Sequence, residues 1–323
     1  MGDNMFLVIA SPTAPPSPLP KGEGLRWSVP TPRQTQIHPL RKESAMRLLE
    51  WLLNTTPRFA ERPVPFGLFH LGSLAVILCI CVLMVVFRRQ LPRGEVNLRR
   101  CLTAFGVGLL LLEVGKQIVY SYDPTLGWAY NWDRFPFQFC STPIYVALAA
   151  MCLREGKLRR AFLAFLATYS PVAGCAVLFY PASDVFHEIL FLDVHTMLWH
   201  GGMLIFGLYL WLTEAVTPSV KTALTAAAVY LPMPVIALIL NEVELATGFA
   251  GNYTFNMFYV ARDGFCMIPV LSWFQAHTPY PVFFAAYVLT LGVGGALVTV
   301  GMWGIRNVKC KMQNAKWESG DRI

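Results

Sequence analysis

Residues 66–87 read FGLFHLGSLAVILCICVLMVVF and end against Arg88-Arg89. No Asp, Glu, Lys or Arg interrupts the run, and about twenty such residues wound as helix span the ~30 Å hydrocarbon core of a bilayer. Similar runs recur along the chain, which fixes the fold class as an all-α polytopic transmembrane bundle. Seven spans are expected, at about 66–87, 102–122, 137–153, 161–180, 190–212, 221–241 and 282–305. Composition agrees: of 323 residues 55% are hydrophobic and 14% charged, with a mean hydropathy of +0.48. Soluble domains carry roughly 25% charged residues, so an ordinary cytosolic enzyme is excluded.

Basic residues outnumber acidic ones 26 to 19. Most flank apolar runs, so they report membrane orientation rather than a nucleic-acid partner. Arg88, Arg89, Arg93, Arg99 and Arg100 fall in the first loop. Arg154, Lys157, Arg159 and Arg160 fall in the third, and Lys221 in the fifth. Arg306, Lys309, Lys311, Lys316 and Arg322 belong to the tail. The intervening loops hold only Arg134 and Arg262, among several acidic residues. The positive-inside rule therefore puts the basic tail, residues 306–323, in the cytoplasm, and seven spans put the N-terminus outside.

Residues 1–45 read as a disordered extension, with proline-rich turns such as Pro15-Pro16-Ser17-Pro18 and no apolar periodicity. They place Lys21, Arg26, Arg33, Arg41 and Lys42 on the external side, against the charge rule. Translation from Met46 would remove that conflict, leaving 46–305 as the transmembrane domain.

No P-loop, GxGxxG or repeat opens any segment. The eight cysteines show neither a CxxC pair nor a zinc-site spacing. No metal and no cofactor are expected, so any chemistry lies within the membrane, and the expected partner is membrane lipid. Ionisable residues inside spans cost roughly 2.5–3.5 kcal/mol each on insertion scales, and they face a cavity or one another. The second span carries Glu113, Lys116 and Gln117 at spacings of three and four, neighbours on one helix face. That set reads either as a self-neutralised structural pair or as part of a site.

The third span opens with Phe135-Pro136-Phe137-Gln138-Phe139-Cys140-Ser141-Thr142-Pro143, which brings an amide, a thiol and two hydroxyls to its outer third. Cys140 is a nucleophile candidate if its environment lowers its pKa, and otherwise a buried inert thiol. In the fifth span Asp193, Thr196 and His200 share a stripe while His195 points elsewhere. His200 suits a general base or a hydrogen-bonded structural histidine. The long loop 242–281 contains Gly251-Asn252-Tyr253-Thr254-Phe255-Asn256, read as a lid or re-entrant segment in which Asn252 supplies polar contacts. Pro143, Pro171, Pro232 and Pro234 are expected to kink helices and leave room for a cavity.

Taken in order, Glu113, Phe135 to Ser141, His200-Gly201 and Gly251 to Phe255 resemble the bacterial YwaF-like integral membrane proteins. That family is similar to eukaryotic acyltransferases that move acyl chains between phospholipids. The resemblance implies lipid acyl chemistry in a bacterial cell membrane, with a cysteine and a histidine near the membrane surface. Gln138 stands where the family has a histidine, and the family's acyl-carrying cysteine falls nearer Phe137 than Cys140. Three functions are weighed. One is a lipid acyltransferase or hydrolase with His200 as base, Cys140 as nucleophile and Asn252 as an oxyanion contact. The second is a small-solute transporter or receptor-like binder built on the Glu113–Lys116 pair. The third is a non-catalytic accessory subunit. The acyl reading expects Glu113, Lys116, Gln138, Cys140, His200 and Asn252 around one cavity opening to the outer leaflet.

Overall fold

The computed structural model describes residues 39–181 and 185–318. In chain order the helices are α1 (Pro39–Asn54), α2 (Leu68–Val86), α3 (Glu95–Tyr120), α4 (Thr142–Cys152) and α5 (Lys157–Phe179). They continue with α6 (Leu190–Leu212), α7 (Val220–Tyr230), α8 (Pro232–Thr247), α9 (Pro269–His277) and α10 (Tyr280–Glu318). A two-residue hairpin, β1 (Tyr122–Asp123) with β2 (Gly127–Trp128), follows α3. Its turn is set by Asp123, whose Oδ1 accepts the Thr125 hydroxyl and the Thr125 and Leu126 amides.

Each of the seven expected spans coincides with helix, but only five segments are long and apolar enough to cross a membrane by length and composition. These are Leu68–Val86, Glu95–Tyr120, Lys157–Phe179, Val220–Thr247 and Tyr280–Asn307. The expected third span is the short apolar segment Phe139–Cys152. The expected fifth, α6, holds Asp193, His195 and His200, all buried. The protein is thus a multi-pass membrane protein of all-α architecture. α1 begins at Pro39, inside the segment read as an extension; residues 1–38 and Asp184 lie outside the described residues.

α5 is the centre. Two-thirds of its apolar window (67%) is enclosed, against 22% or less in the other four spans. α4, α6, α7 and α10 pack on it, α3 lies against α4 and α6, and α2 against α6. The outer helices turn Val76, Leu111, Ile239, Leu289 and Leu297 outward, as lipid-facing surfaces require. Inside, Tyr169 of α5 stacks on Tyr230 of α7 at 4.7 Å. Trp211 of α6 donates its indole N–H to the Ala167 carbonyl at 2.7 Å.

The α5–α6 seam is close because glycine lines it. A Cβ on Gly174 would stand 2.7 Å from the His200 carbonyl oxygen, and one on Gly207 only 2.1 Å from Pro171 Cγ. Small residues let backbones approach in lipid, where dispersion replaces the hydrophobic drive. Pro171 is the proline inside a helix, and Gly207 accommodates its ring. The kink expected at Pro143 is corrected, because Pro143 lies in the first turn of α4, where a missing amide costs little, whereas Pro232 and Pro234 follow Leu231, where regular helix is interrupted between α7 and α8. Leu231 keeps helical dihedrals between α7 and α8 (φ −54°, ψ −38°), so the two continue as one apolar segment.

Gly207→Ala should lower thermal stability in detergent by about 1–3 kcal/mol, the usual cost of overpacking. Gly292→Ala, with nothing within 4 Å of its added methyl, should not. Equal effects of the two would overturn the close seam.

Candidate functional site

The α3 polar stripe sets one wall. Glu113, Lys116, Gln117 and Tyr120 follow at i, i+3, i+4 and i+7, and so share one face. Glu113 is buried, and its Oε1 meets Lys116 Nζ at 2.8 Å. The Gln117 amide donates to the same carboxylate oxygen at 2.7 Å and to the Arg134 carbonyl at 2.6 Å. Glu113 Oε2 has no hydrogen-bond partner. Burial and the Glu113 carboxylate push the Tyr130 phenol above its usual range, and its ring meets Trp132 edge-on at 4.8 Å. The Arg134 guanidinium lies over the Tyr120 ring at 4.8 Å, and the Tyr120 hydroxyl pairs with His187 Nε2 at 2.6 Å. The stripe is therefore tied to the loops before α4 and α6.

The second wall is the 3-10 turn Phe139–Ser141 that feeds α4. Gln138 donates its amide to the Asn256 carbonyl at 2.8 Å, fastening this turn to the α8–α9 loop. The Cys140 carbonyl accepts the Trp199 indole N–H at 2.9 Å. Trp199 precedes His200, so this bond sets Cys140 at the His200 level of α6. Cys140 is partly buried and packs against the apolar group that includes Leu109, Ile144 and Trp199.

α6 supplies the third wall. Asp193 Oδ1 accepts the His187 amide at 2.7 Å, anchoring the loop ahead of the helix. His200 Nδ1 meets the Thr196 carbonyl at 2.8 Å. A carbonyl only accepts, so the hydrogen-bond pattern assigns the proton to Nδ1 and leaves Nε2 as the lone-pair nitrogen. That Nε2 is buried and has no hydrogen-bond partner among the described residues. His195 is buried as well, stacks on Trp199 at 5.3 Å, and its Nε2 is likewise unpartnered. Trp199 thus joins two walls, its indole bonded to the Cys140 carbonyl and its ring stacked with His195.

Of the sequence candidates, Glu113 and Lys116 are in direct contact, Cys140 is tied through its carbonyl to Trp199, the neighbour of His200 in α6, and Gln138 buttresses the Cys140 turn. Asn252 is exposed, in the turn after Gly251 (φ 64°). The buried amide of that loop is Asn256, which accepts the Ala261 amide at 2.9 Å, donates to Phe265 O at 3.1 Å and presents its carbonyl to Gln138. His195, Trp199 and Asn256 were not singled out from sequence; the i, i+4 spacing of His195 and Trp199 was the available signal. Two surface cavities, of about 350 and 430 Å³, are lined by none of the six sequence candidates, although Tyr120 and His187 line the first. Among the described residues no three His, Cys, Asp or Glu side chains converge as a metal site.

A sequence profile described as the TMEM164 family matches residues 65–299, 235 of the 323 residues, and spans every residue of this site. No curated protein and no solved structure matches.

Breaking a buried pair leaves an uncompensated charge, at about 3–5 kcal/mol, whereas replacing both partners is far milder. Lys116→Met alone should therefore lower detergent-solubilised thermal stability sharply, and Glu113→Leu combined with it should restore most of the loss. Additive losses in the double variant would mean the two charges do not depend on each other.

Proposed function

We propose that this chain, which belongs to the TMEM164 family, performs acyl transfer or ester hydrolysis on a membrane lipid through His200, Cys140 and Lys116. The observation that carries this reading is the His200 ring. Its Nδ1 is committed to the Thr196 carbonyl while its buried Nε2 has no partner. A neutral imidazole fixed in that tautomer is prepared to take a proton from an attacking hydroxyl or thiol. The Lys116 ammonium, steadied by Glu113, is the group suited to stabilise an ester oxyanion in a medium without water. Cys140 is the nucleophile of a thioester route, its turn held by Gln138 and Trp199. Asn256 supports that turn, and Asn252 contributes at most from the exposed rim.

The loop-charge asymmetry supports a cytoplasmic tail, an external N-terminus and a site toward the outer leaflet. The YwaF-like motifs support a bacterial cell membrane as its location. A binder or transporter is the second reading, favoured by the buried Glu113–Lys116 pair, since intramembrane charges often mark solute paths.

Comparative lipidomics of a deletion strain should reveal an acyl-chain change that wild type reverses and His200→Ala does not. Loss of a general base typically costs about 10²–10⁴-fold in rate, enough to leave the deletion pattern intact. Cys140→Ser separates the routes: failure alongside His200→Ala supports the thioester, and full complementation supports direct transfer through His200. Unchanged lipids with altered solute uptake would overturn acyl chemistry and favour transport.

A further inference from the structure

The outer face of α9 inverts the pattern of a water-exposed helix. Residues 264–305 contain no Asp, Glu, Lys or Arg, so the charge-free stretch begins well before the span that starts at Tyr280. Within α9, Val270 (68% exposed) and Trp273 (57%) point outward, and Phe265 (68%) and Met267 beside the helix extend the same apolar surface. The exposed His277 ring lies stacked on Trp273 at 4.7 Å with its Nδ1 on the Trp273 carbonyl, and the amide of the helix turns inward. Gln275 accepts the Cys266 amide at 2.8 Å and donates to the Gly264 carbonyl at 2.7 Å, while Leu271 is buried. Helix α9 packs on α10 and leads directly into it, so its exposed face adjoins lipid-facing Val282. Charge resumes at the other end: Arg262 pairs with Glu242 at 2.7 Å and lies over the Tyr280 ring at 5.3 Å, and Asp263 is exposed.

We infer that α9 and the residues from Phe265 onward lie embedded in the headgroup and acyl boundary of the bilayer, so that lipid covers their apolar face. A short helix needs no span length to do this; an apolar face with Trp at the boundary suffices. Water would leave several large apolar side chains exposed together, which soluble surfaces avoid. The embedding has a structural consequence. The same loop carries Asn256, whose carbonyl holds Gln138 beside Cys140, so the bilayer itself helps to fix the cap over the polar cluster.

The test places a nitroxide singly at positions 263, 265, 270 and 273 of the full chain in phospholipid vesicles and compares relaxation by oxygen with that by an aqueous nickel chelate. Position 263 should respond mainly to nickel. Positions 265, 270 and 273 should respond mainly to oxygen, at depths of roughly 5–10 Å. Nickel dominance at 270 and 273 would overturn the inference, and so would inaccessibility to both reagents, which would assign the face to a second copy or another protein. Labelling requires removal of the eight native cysteines, so a second measurement keeps the wild-type set. Shallow brominated lipids should quench less of the fluorescence of Trp273→Phe than of wild type, and an unchanged quenched fraction would contradict lipid contact.

Discussion

A charge held inside a bilayer must find its partner within the protein, and the Glu113–Lys116 contact is where this chain meets that demand. The rest of the site is arranged around it. Gln117 joins the carboxylate to the Arg134 carbonyl, so the α3 stripe fixes the loop that delivers the Cys140 turn. That turn is then fastened to α6 by Trp199 and to the α8–α9 loop by Gln138. Three elements far apart in sequence are thereby held at one level by polar contacts that have no water to compete with them.

Behind the polar wall the bundle is closely packed. α5 is the axis, and Gly174 and Gly207 bring α6 against it so tightly that the His200 carbonyl lies where a side chain would be. The imidazole is therefore carried by a backbone that cannot move independently of α5. Fixing a reacting group on rigid helices is how a site keeps its geometry without a large hydrogen-bond network.

Much of this was legible in the sequence, for identifiable reasons. Uncharged runs of about twenty residues have few alternatives to spanning helix, and Glu113, Lys116 and Gln117 follow from helical period alone. Two things were not legible. His195 points away from the His200 stripe, yet α6 is packed by α5 on one side and by α2 and α3 on others, which buries His195 and leaves Val194 and Leu198 as the exposed strip. Which asparagine of the loop after α8 is buried is not legible, because that loop has no period to read. It turns through Gly248 and Gly251 at positive φ and through Phe258 and Tyr259 near +57°, which buries Asn256 and leaves Asn252 outside. Seven spans are expected where five segments qualify by length and composition, because the third, Phe139–Cys152, is short and α6 carries Asp193, His195 and His200 among its apolar residues.

The account turns on which nitrogen of His200 carries the proton. Solid-state ¹⁵N spectroscopy of histidine-labelled chain in lipid bilayers, assigned by the loss of one signal in His200→Asn, reads this directly. A neutral His200 protonated at Nδ1, with an unprotonated Nε2, is the expected result. A signal protonated at Nε2 would contradict it, because the nitrogen assigned to accept the substrate proton would already be occupied.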